Sequence, residues 1–405
     1  MAKKGKSRGQ NEGSIREKFR IDIKTGQKVS IGWEARYTNT EGKQKSIFAK
    51  TRTEVNKKLT KTLNDINQGT YIEPSKTTVG DWLDTWYKDY KVPNVKPKTL
   101  EGYESIIRNH IKPVLGKTLL KDLKSEKIQQ LYNDVSSTLS PRMAQLTHVT
   151  LHSALHQAYV NNLIPKNPAM KGAVIIPKST PKEARVLTVK EQTKFMQALK
   201  GDRLEAAFIL DLATGLRVGE IAALSWDSID FKSKTLKVNR TLVRVKNFDE
   251  KAETKTKLVF DTPKSKKSNR IIPLLDEVVI ALKAHIARQG EERLKAGGLI
   301  EDGGLYQDNN LVFCTEIGTP LDTRKIQEAF YTLVDKSGIK KANMHCLRHC
   351  FATRMLENGV DIKTTSELLG HSKISLTGDI YSHVLQNHKR DAINKLKNVF
   401  EAAKK

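Results

Sequence analysis

At 405 residues the chain is too long for a single compact core, and its 38% hydrophobic composition can build two or three. With 71 Lys and Arg against 45 Asp and Glu, it carries a formal net charge of +26 dispersed along its length, a surplus suited to a polyanionic partner such as nucleic acid. No run of about 18 apolar residues is available to span a membrane, Met1–Lys6 lacks the apolar core of a signal peptide, and Cys314, Cys346 and Cys350 are too few for a disulfide framework, so a reducing cytosolic setting is expected.

Residues 1–75 read as a small module whose first dozen residues are basic, Gly-rich and expected to be disordered. Val29 to Thr38 and Lys45 to Lys50 are β-branched and aromatic runs joined by the turn Asn39-Thr40-Glu41-Gly42-Lys43, the pattern of a hairpin. Ile15 to Ile23 can supply a third strand. A helix opening at Thr53-Glu54-Val55 places Val55, Leu59, Leu63 and Ile66 at helical period and stops at Gly69. Such a sheet, with Arg16, Lys18, Arg20, Lys43 and Lys45 on its strands and turns, can lay a basic face along DNA. A solvated module that only tethers the rest fits the same pattern.

Tyr71-Ile72-Glu73-Pro74-Ser75 reads as a linker opening a second domain over 76–178, whose pattern is wholly helical from Thr78 to about Val174. Val79, Trp82, Leu83, Trp86 and Tyr87 form one stripe, and Thr99, Tyr103, Ile106, Ile107 and Ile111 another opened by Pro97. Ile128, Leu131 and Tyr132 follow, then Met143 through Tyr159 behind Ser140-Pro141. A compact bundle with Lys and Arg between its helices can clasp a duplex.

A second linker, Pro- and Lys-rich, covers Ile175 to Lys182 and precedes the largest domain, residues 183–405. Thr188 and Glu191 have capping-box spacing, a buried helix runs from Leu204 to Leu212 and ends at Gly215, and another follows from Leu216. Leu236 to Val245, Lys257 to Thr262 and Asn269 to Leu274 predict a three-stranded antiparallel sheet. Helices resume at Asp276 and end in an amphipathic tail from His388 to Phe400. The expected fold class is multidomain and mainly α with small β-sheets: an N-terminal three-stranded sheet plus helix, a helical bundle, and a mixed α+β domain.

Three stretches of that last domain carry candidate chemistry. Thr214-Gly215-Leu216-Arg217-Val218-Gly219-Glu220 sets an arginine just past a glycine turn at a helix start, with Glu220 placed to orient it. The basic turn Thr262–Arg270 offers Lys264 as a proton donor at a hairpin tip, and Lys266, Lys267 and Arg270 as phosphate contacts. In His345-Cys346-Leu347-Arg348-His349-Cys350, His345 and Arg348 fall on one helix face, a permanent cation beside an imidazole, which suits a phosphoryl oxygen. Zinc is disfavoured there, because one helical turn cannot wrap two His and two Cys around a tetrahedral ion. Leu347, Phe351 and Met355 make the buried stripe, and Cys346 and Cys350 read as small packing residues.

Arg217 in T-G-L-R-x-x-E, Lys264 on a β-turn, H-x-L-R at His345 and Arg348, L-G-H at His371, and Tyr381 ten residues later come in an order that resembles the tyrosine recombinases, above all phage- and conjugative-transposon-type integrases. The likeness spans the chain, implying an arm-site-binding domain over 1–75, a core-site-binding domain over 76–178 and a catalytic domain over 183–405. It implies Arg217, Lys264, His345, Arg348 and His371 as the activating set and Tyr381 as nucleophile. Two departures stand out: Cys350 occupies a position where Ser or Thr is usual, and Gly378 interrupts the segment leading to Tyr381.

The implied chemistry is coherent. A phosphodiester resists attack because its oxygens are negative, and the pentacoordinate transition state concentrates that charge. Arg217 and Arg348 can grip the non-bridging oxygens while His345 and His371 add donors. Tyr381 attacks phosphorus, with His345 taking or orienting its proton and Lys264 protonating the departing 5′ oxygen. The bond energy stays in the phosphotyrosine, so no cofactor, nucleotide loop or magnesium cluster is expected. The expected enzyme is a site-specific recombinase acting on double-stranded attachment sites in the bacterial cytosol, at the nucleoid. It integrates and excises a mobile element as a homotetramer, with an excision factor or host DNA-bending protein as helper. The tail would dock on a neighbouring protomer or pack on its own domain. A type IB topoisomerase-like enzyme and a non-catalytic DNA-binding regulator are the rival readings.

Overall fold

The computed structural model describes residues 13–378 apart from 24–25, 70, 72–75, 181–184, 248–252, 263–265 and 376, and it divides the chain into two units, Met1–Ser179 and Thr180–Lys405. Lys264, Tyr381, the basic residues 1–12 and the expected tail helix lie outside the described residues, as does the side chain of Lys266.

Period-two alternation builds the N-terminal sheet. Strands β1 (Ser14–Ile21), β2 (Lys28–Thr38) and β3 (Gln44–Ala49) form an antiparallel meander in the order β1-β2-β3, and α1 (Arg52–Asn67) covers one face. Ala35, Tyr37 and Ala49 point to that face and bury themselves against Val55 and Leu59 of α1. Thr51 caps the helix, its hydroxyl accepting from the Glu54 N–H at 3.3 Å, so the helix opens at Arg52, one residue before the expected Thr53. Asn39 closes the hairpin turn, its Oδ1 accepting from the backbone of Glu41 (3.1 Å) and Lys43 (2.8 Å).

The helical segment of the same unit comprises α2 (Val79–Thr85), α3 (Pro97–Ile106), α4 (Lys112–Leu115), α5 (Ser125–Thr138) and α6 (Pro141–Val160); α2 and α3 each run on through a wider π-helical turn. The stripes read from the sequence converge: Trp82, Trp86, Ile111, Leu131, Tyr132 and Leu151 are all buried in one core. The Trp82 indole N–H donates to the Ala154 carbonyl at 2.8 Å, which keeps the buried ring satisfied.

The second unit begins at α7 (Val189–Leu199), where Thr188 and Glu191 form the expected capping box. α8 (Glu205–Thr214) and α9 (Val218–Ala222) follow, then β4 (Ile229–Asp230), β5 (Thr235–Val238), β6 (Thr241–Lys246), β7 (Thr256–Asp261) and β8 (Arg270–Pro273). One expectation is corrected. The run Leu236–Val245 is two strands, since among the described residues β5 pairs with β4 and β8 while β6 pairs with β7 alone. Arg240 marks the break by donating Nε to the Ala223 carbonyl at 2.7 Å. Val238 and Leu242 are buried on either side, so the alternation of apolar residues survives the break and hides it from the sequence. Helices α10 (Asp276–Lys295), α11 (Thr323–Lys336), α12 (His345–Glu357) and α13 (Ile362–Leu369) complete the unit, and the rings of Phe195, Phe208 and Phe330 meet at centroid distances of 5.5 to 6.2 Å in its core.

Candidate active site

The site is built on two glycine turns. Gly215 ends α8 in the left-handed conformation (φ 60°), and a Cβ there would lie 2.7 Å from the Phe351 ring, so only glycine fits. Leaving that turn, Arg217 stands at the start of α9 and is tied to Glu220: its backbone N–H donates to Oε2 (3.1 Å) and its Nη1 to Oε1 (2.8 Å). The Arg217 side chain is 40% exposed while that of Glu220 is 4% exposed, so the carboxylate is a buried anchor and the guanidinium faces outward.

Gly370 ends α13 in the same way (φ 65°). Arg348, on α12, joins the two turns: its Nη1 donates to the Gly215 carbonyl at 2.6 Å and its Nη2 to the Leu369 carbonyl at 2.7 Å. Each of those nitrogens carries a second hydrogen. His345 stands one helical turn before Arg348, its ring partly desolvated by its neighbours. His371 follows Gly370, with its backbone N–H donating to Ser366 O at 3.0 Å and its Nδ1 2.8 Å from the buried Thr377 hydroxyl. Arg217, His345, Arg348 and His371 thus gather around one spot, their charges acting on one another.

Those charges set the protonation states. Burial, then the cations of Arg348 and Arg217, lower the His371 imidazole to about 4 and also depress His345, leaving both neutral at pH 7. Burial and the charge of Arg217 press down on Arg348 as well, yet a guanidinium keeps its proton. Burial opposes the charge of Glu220, but hydrogen bonding from Arg270 and the charges of Arg270 and Arg217 outweigh it and lower its pKa. The result is a cluster of fixed cations and neutral imidazoles, suited to a phosphoryl group carrying negative charge.

Other expected contacts fall differently. Arg270 is not on the surface of the basic turn: its side chain is 6% exposed, bonded to Glu220 (2.9 Å), the Leu368 carbonyl (2.6 Å) and the Ser268 carbonyl (3.1 Å). It starts β8, and its inward side of the pleat points at the Glu220 carboxylate, so its guanidinium is held inside the domain and not on the open surface of the turn where the sequence reading put it. Lys267 is exposed in the short turn Lys266–Ser268. Cys346 and Cys350 are buried, the Cys350 Sγ accepting the Leu187 N–H at 3.2 Å, as a Ser or Thr oxygen would. Among the described residues no group of three or more His, Cys, Asp or Glu is arranged to hold a metal ion.

On the N-terminal sheet, alternation along β1 puts Arg16, Lys18 and Arg20 on the face away from α1, beside Arg36 and Phe48. Glu34 sits among them, 8% exposed, with Arg16 at 2.6 Å, Arg36 at 3.7 Å and Lys18 at 3.8 Å. Lys43 pairs with Glu41 in the turn at 2.9 Å. Lys45 is a correction: it lies opposite Tyr37, which points at α1, and so falls on the covered face. Arg36 and the organising Glu34 were missed. Their signal is the alternation Glu34-Ala35-Arg36 along the strand, which puts both charges on the face opposite Ala35.

The model of the phage integrase family matches residues 185–388, and that of the phage integrase N-terminal SAM-like domain matches residues 78–136. The chain belongs to the phage integrase family of tyrosine recombinases. A tyrosine recombinase XerC-like protein of Caldanaerobacter subterraneus subsp. tengcongensis is 34% identical over 364 residues, 88% of this chain and 92% of the relative. Among solved structures, the Tn1549 transposon integrase in complex with transposon right end DNA superposes with a TM-score of 0.64 at 24% identity, covering 79% of this chain and 99% of that one. A lambda integrase tetramer bound to a Holliday junction gives 0.54 at 22% identity, covering 85% of this chain and 91% of that one. These two likenesses carry the fold. As a tyrosine recombinase of the integrase type the protein cleaves and rejoins DNA, which sets aside the non-catalytic regulator, while the family it belongs to sets aside the topoisomerase-like reading. Among the described residues no helix is long and apolar enough to cross a membrane.

Proposed function

We propose that this recombinase cuts DNA at the cluster of Arg217, His345, Arg348 and His371, using Tyr381 as nucleophile and Lys264, or a neighbouring lysine of the same turn, as general acid. The observation that carries the reading is Arg348, whose two terminal nitrogens hold the Gly215 and Leu369 carbonyls and so bring the T-G-L-R and L-G-H turns to one guanidinium. Arg217 and Arg348 receive the non-bridging oxygens, and neutral His371 donates from Nε2 while Thr377 holds Nδ1. The Tyr381 oxygen bonds to phosphorus as the P–O5′ bond breaks; the phenol proton passes to His345, and a lysine ammonium gives a proton to O5′. The 3′-phosphotyrosine keeps the bond energy for rejoining to a new 5′-OH.

In this reading the segment 76–178 grips the core site and the basic face of the N-terminal sheet holds a separate arm site. Four subunits assemble on two duplexes, in the bacterial cytosol, with an excision factor or a DNA-bending protein setting direction. The DNA-bound transposon integrase and the lambda tetramer, both of like fold, support this assembly. The test is incubation with a nicked duplex carrying the end of the element that encodes the chain, without added metal. A covalent protein–DNA band is expected that vanishes in Tyr381→Phe and falls on the order of a hundredfold or more in Arg217→Ala. A band that persists in Tyr381→Phe overturns the assignment.

A further inference from the structure

We infer that Arg270 is a positioning residue of the cleavage site: a buried strut that sets Arg217 through Glu220 and His371 through the carbonyl end of α13. The inference rests on the reading of Arg217 and His371 as phosphate-holding groups.

Arg270 occupies a place where a cation would not be buried without a reason, since a buried charge is costly unless paired and fully hydrogen-bonded. Here the pairing is complete on three sides. Nη2 donates to Glu220 Oε2 at 2.9 Å and Nη1 lies 3.4 Å from Oε1, so the two terminal nitrogens meet the carboxylate end-on and leave Nε free for another acceptor. The same carboxylate holds the Arg217 backbone at 3.1 Å and its Nη1 at 2.8 Å. Glu220 is therefore shared, and Arg270 fixes the oxygens on which the orientation of Arg217 depends.

The other end of the strut is α13. Arg270 Nε donates to Leu368 O at 2.6 Å, while Arg348 Nη2 donates to the next carbonyl, Leu369 O, at 2.7 Å. Two consecutive carbonyls of the last helical turn are thus held by two different guanidiniums, at the end where the helix dipole is negative. The chain then turns at Gly370, where a Cβ would meet Arg270 Nη1 at 3.0 Å, and delivers His371. Lysine could match the charge of Arg270 but not its fork, and so cannot hold Glu220 and Leu368 O together.

A DNA ligand and a strut predict different things, and full-length Arg270→Lys and Arg270→Gln separate them. The probes are salt-dependent binding to, and single-turnover cleavage of, the nicked element-end duplex. A strut predicts an unchanged salt slope in Arg270→Gln, where loss of a phosphate contact would reduce it by about 1. It predicts cleavage slowed on the order of a hundredfold in Arg270→Lys. It also predicts non-additivity: in an Arg217→Ala, His371→Ala background, Arg270→Lys slows cleavage no further. If Arg270→Gln loses its thermal transition, Arg270→Lys, which keeps the charge, carries the test. Wild-type cleavage in Arg270→Lys, a reduced salt slope, or a full additional loss in the double background each overturns the strut. Should Arg217→Ala and His371→Ala themselves cleave like wild type, it is the site assignment that fails.

Discussion

The Nδ1 of His371 and the hydroxyl of Thr377 stand 2.8 Å apart, and Thr377 is fully buried. With His371 neutral, a hydroxyl donating to Nδ1 places the ring proton on Nε2, the nitrogen that can face a phosphate. Thr377→Val keeps the shape of the side chain and removes the hydroxyl, so the ring loses its tautomer preference. Cleavage of the nicked duplex is expected to slow by about tenfold, with Thr377→Ser retaining most of the rate. Equal rates in wild type and Thr377→Val would remove the hydroxyl from the mechanism.

Gly370 tests the turn that delivers His371. Its φ of 65° disfavours any L side chain, and a Cβ would stand 3.0 Å from Arg270 Nη1 and 3.2 Å from its Cδ. Gly370→Ala should therefore cost about 1–3 kcal/mol in stability, read as a lower urea midpoint, and slow cleavage more than it weakens binding. A variant with wild-type midpoint and rate would show that the turn tolerates the change.

These two residues also mark what was legible in advance. The L-G-H turn, the T-G-L-R turn and the H-x-L-R helix could be read because each is short, ordered in sequence and tied to a residue type with distinct chemistry. The burial of Arg270 is hidden from the sequence for a general reason: an exposed and a buried arginine of a basic turn share one composition, and only the pleat direction at β8, together with the distant carboxylate of Glu220, tells them apart. The split between β5 and β6 was hidden because Val238 and Leu242 keep the alternation across it. The face on which Lys45 falls depends on the hairpin register, which the turn residues alone do not give. Thr377 carried no signal at all, since a threonine matters there only through a ring that tertiary packing brings to it.

The outer face of the N-terminal sheet yields a salt prediction. Arg36 lies beside Arg16 and Lys18, with Glu34 among them. If this face follows a DNA backbone, Arg36→Ala should reduce the slope of log affinity against log salt by about 1 on arm-site duplex, and leave binding to a core-site duplex unchanged. An equal change on both duplexes would place the effect elsewhere.

The pH dependence of cleavage follows from His345. Burial and the charges of Arg348 and Arg217 lower its pKa below the usual 6.5. A base must be deprotonated to accept the Tyr381 proton, so the single-turnover rate should stay level as pH falls from 8 to 6.5 and decline only below that. Arg217→Gln removes one of the depressing charges, so the decline should move to higher pH even though the absolute rate is far lower. A decline centred at the same pH in both proteins would separate His345 from the charge of Arg217.

Asp211 offers a stability prediction with the opposite sign. It lies on α8, fully buried, and among the described residues its Oδ1 has no hydrogen-bond partner. Burial raises its pKa well above the ordinary 3.8, outweighing the attraction of Arg348. Between the unfolded and folded pKa values the folded state binds more protons, so stability from this residue is present at low pH and is lost as pH rises through the folded pKa. Asp211→Asn removes the titration while keeping the shape. The variant should therefore unfold at higher urea than wild type at pH 8, by on the order of 1–3 kcal/mol, and the gap should narrow toward pH 4. A variant less stable than wild type at pH 8 would mean that the ionised carboxylate is held by the charge of Arg348 after all, and that Asp211 belongs to the cationic cluster as its counter-ion.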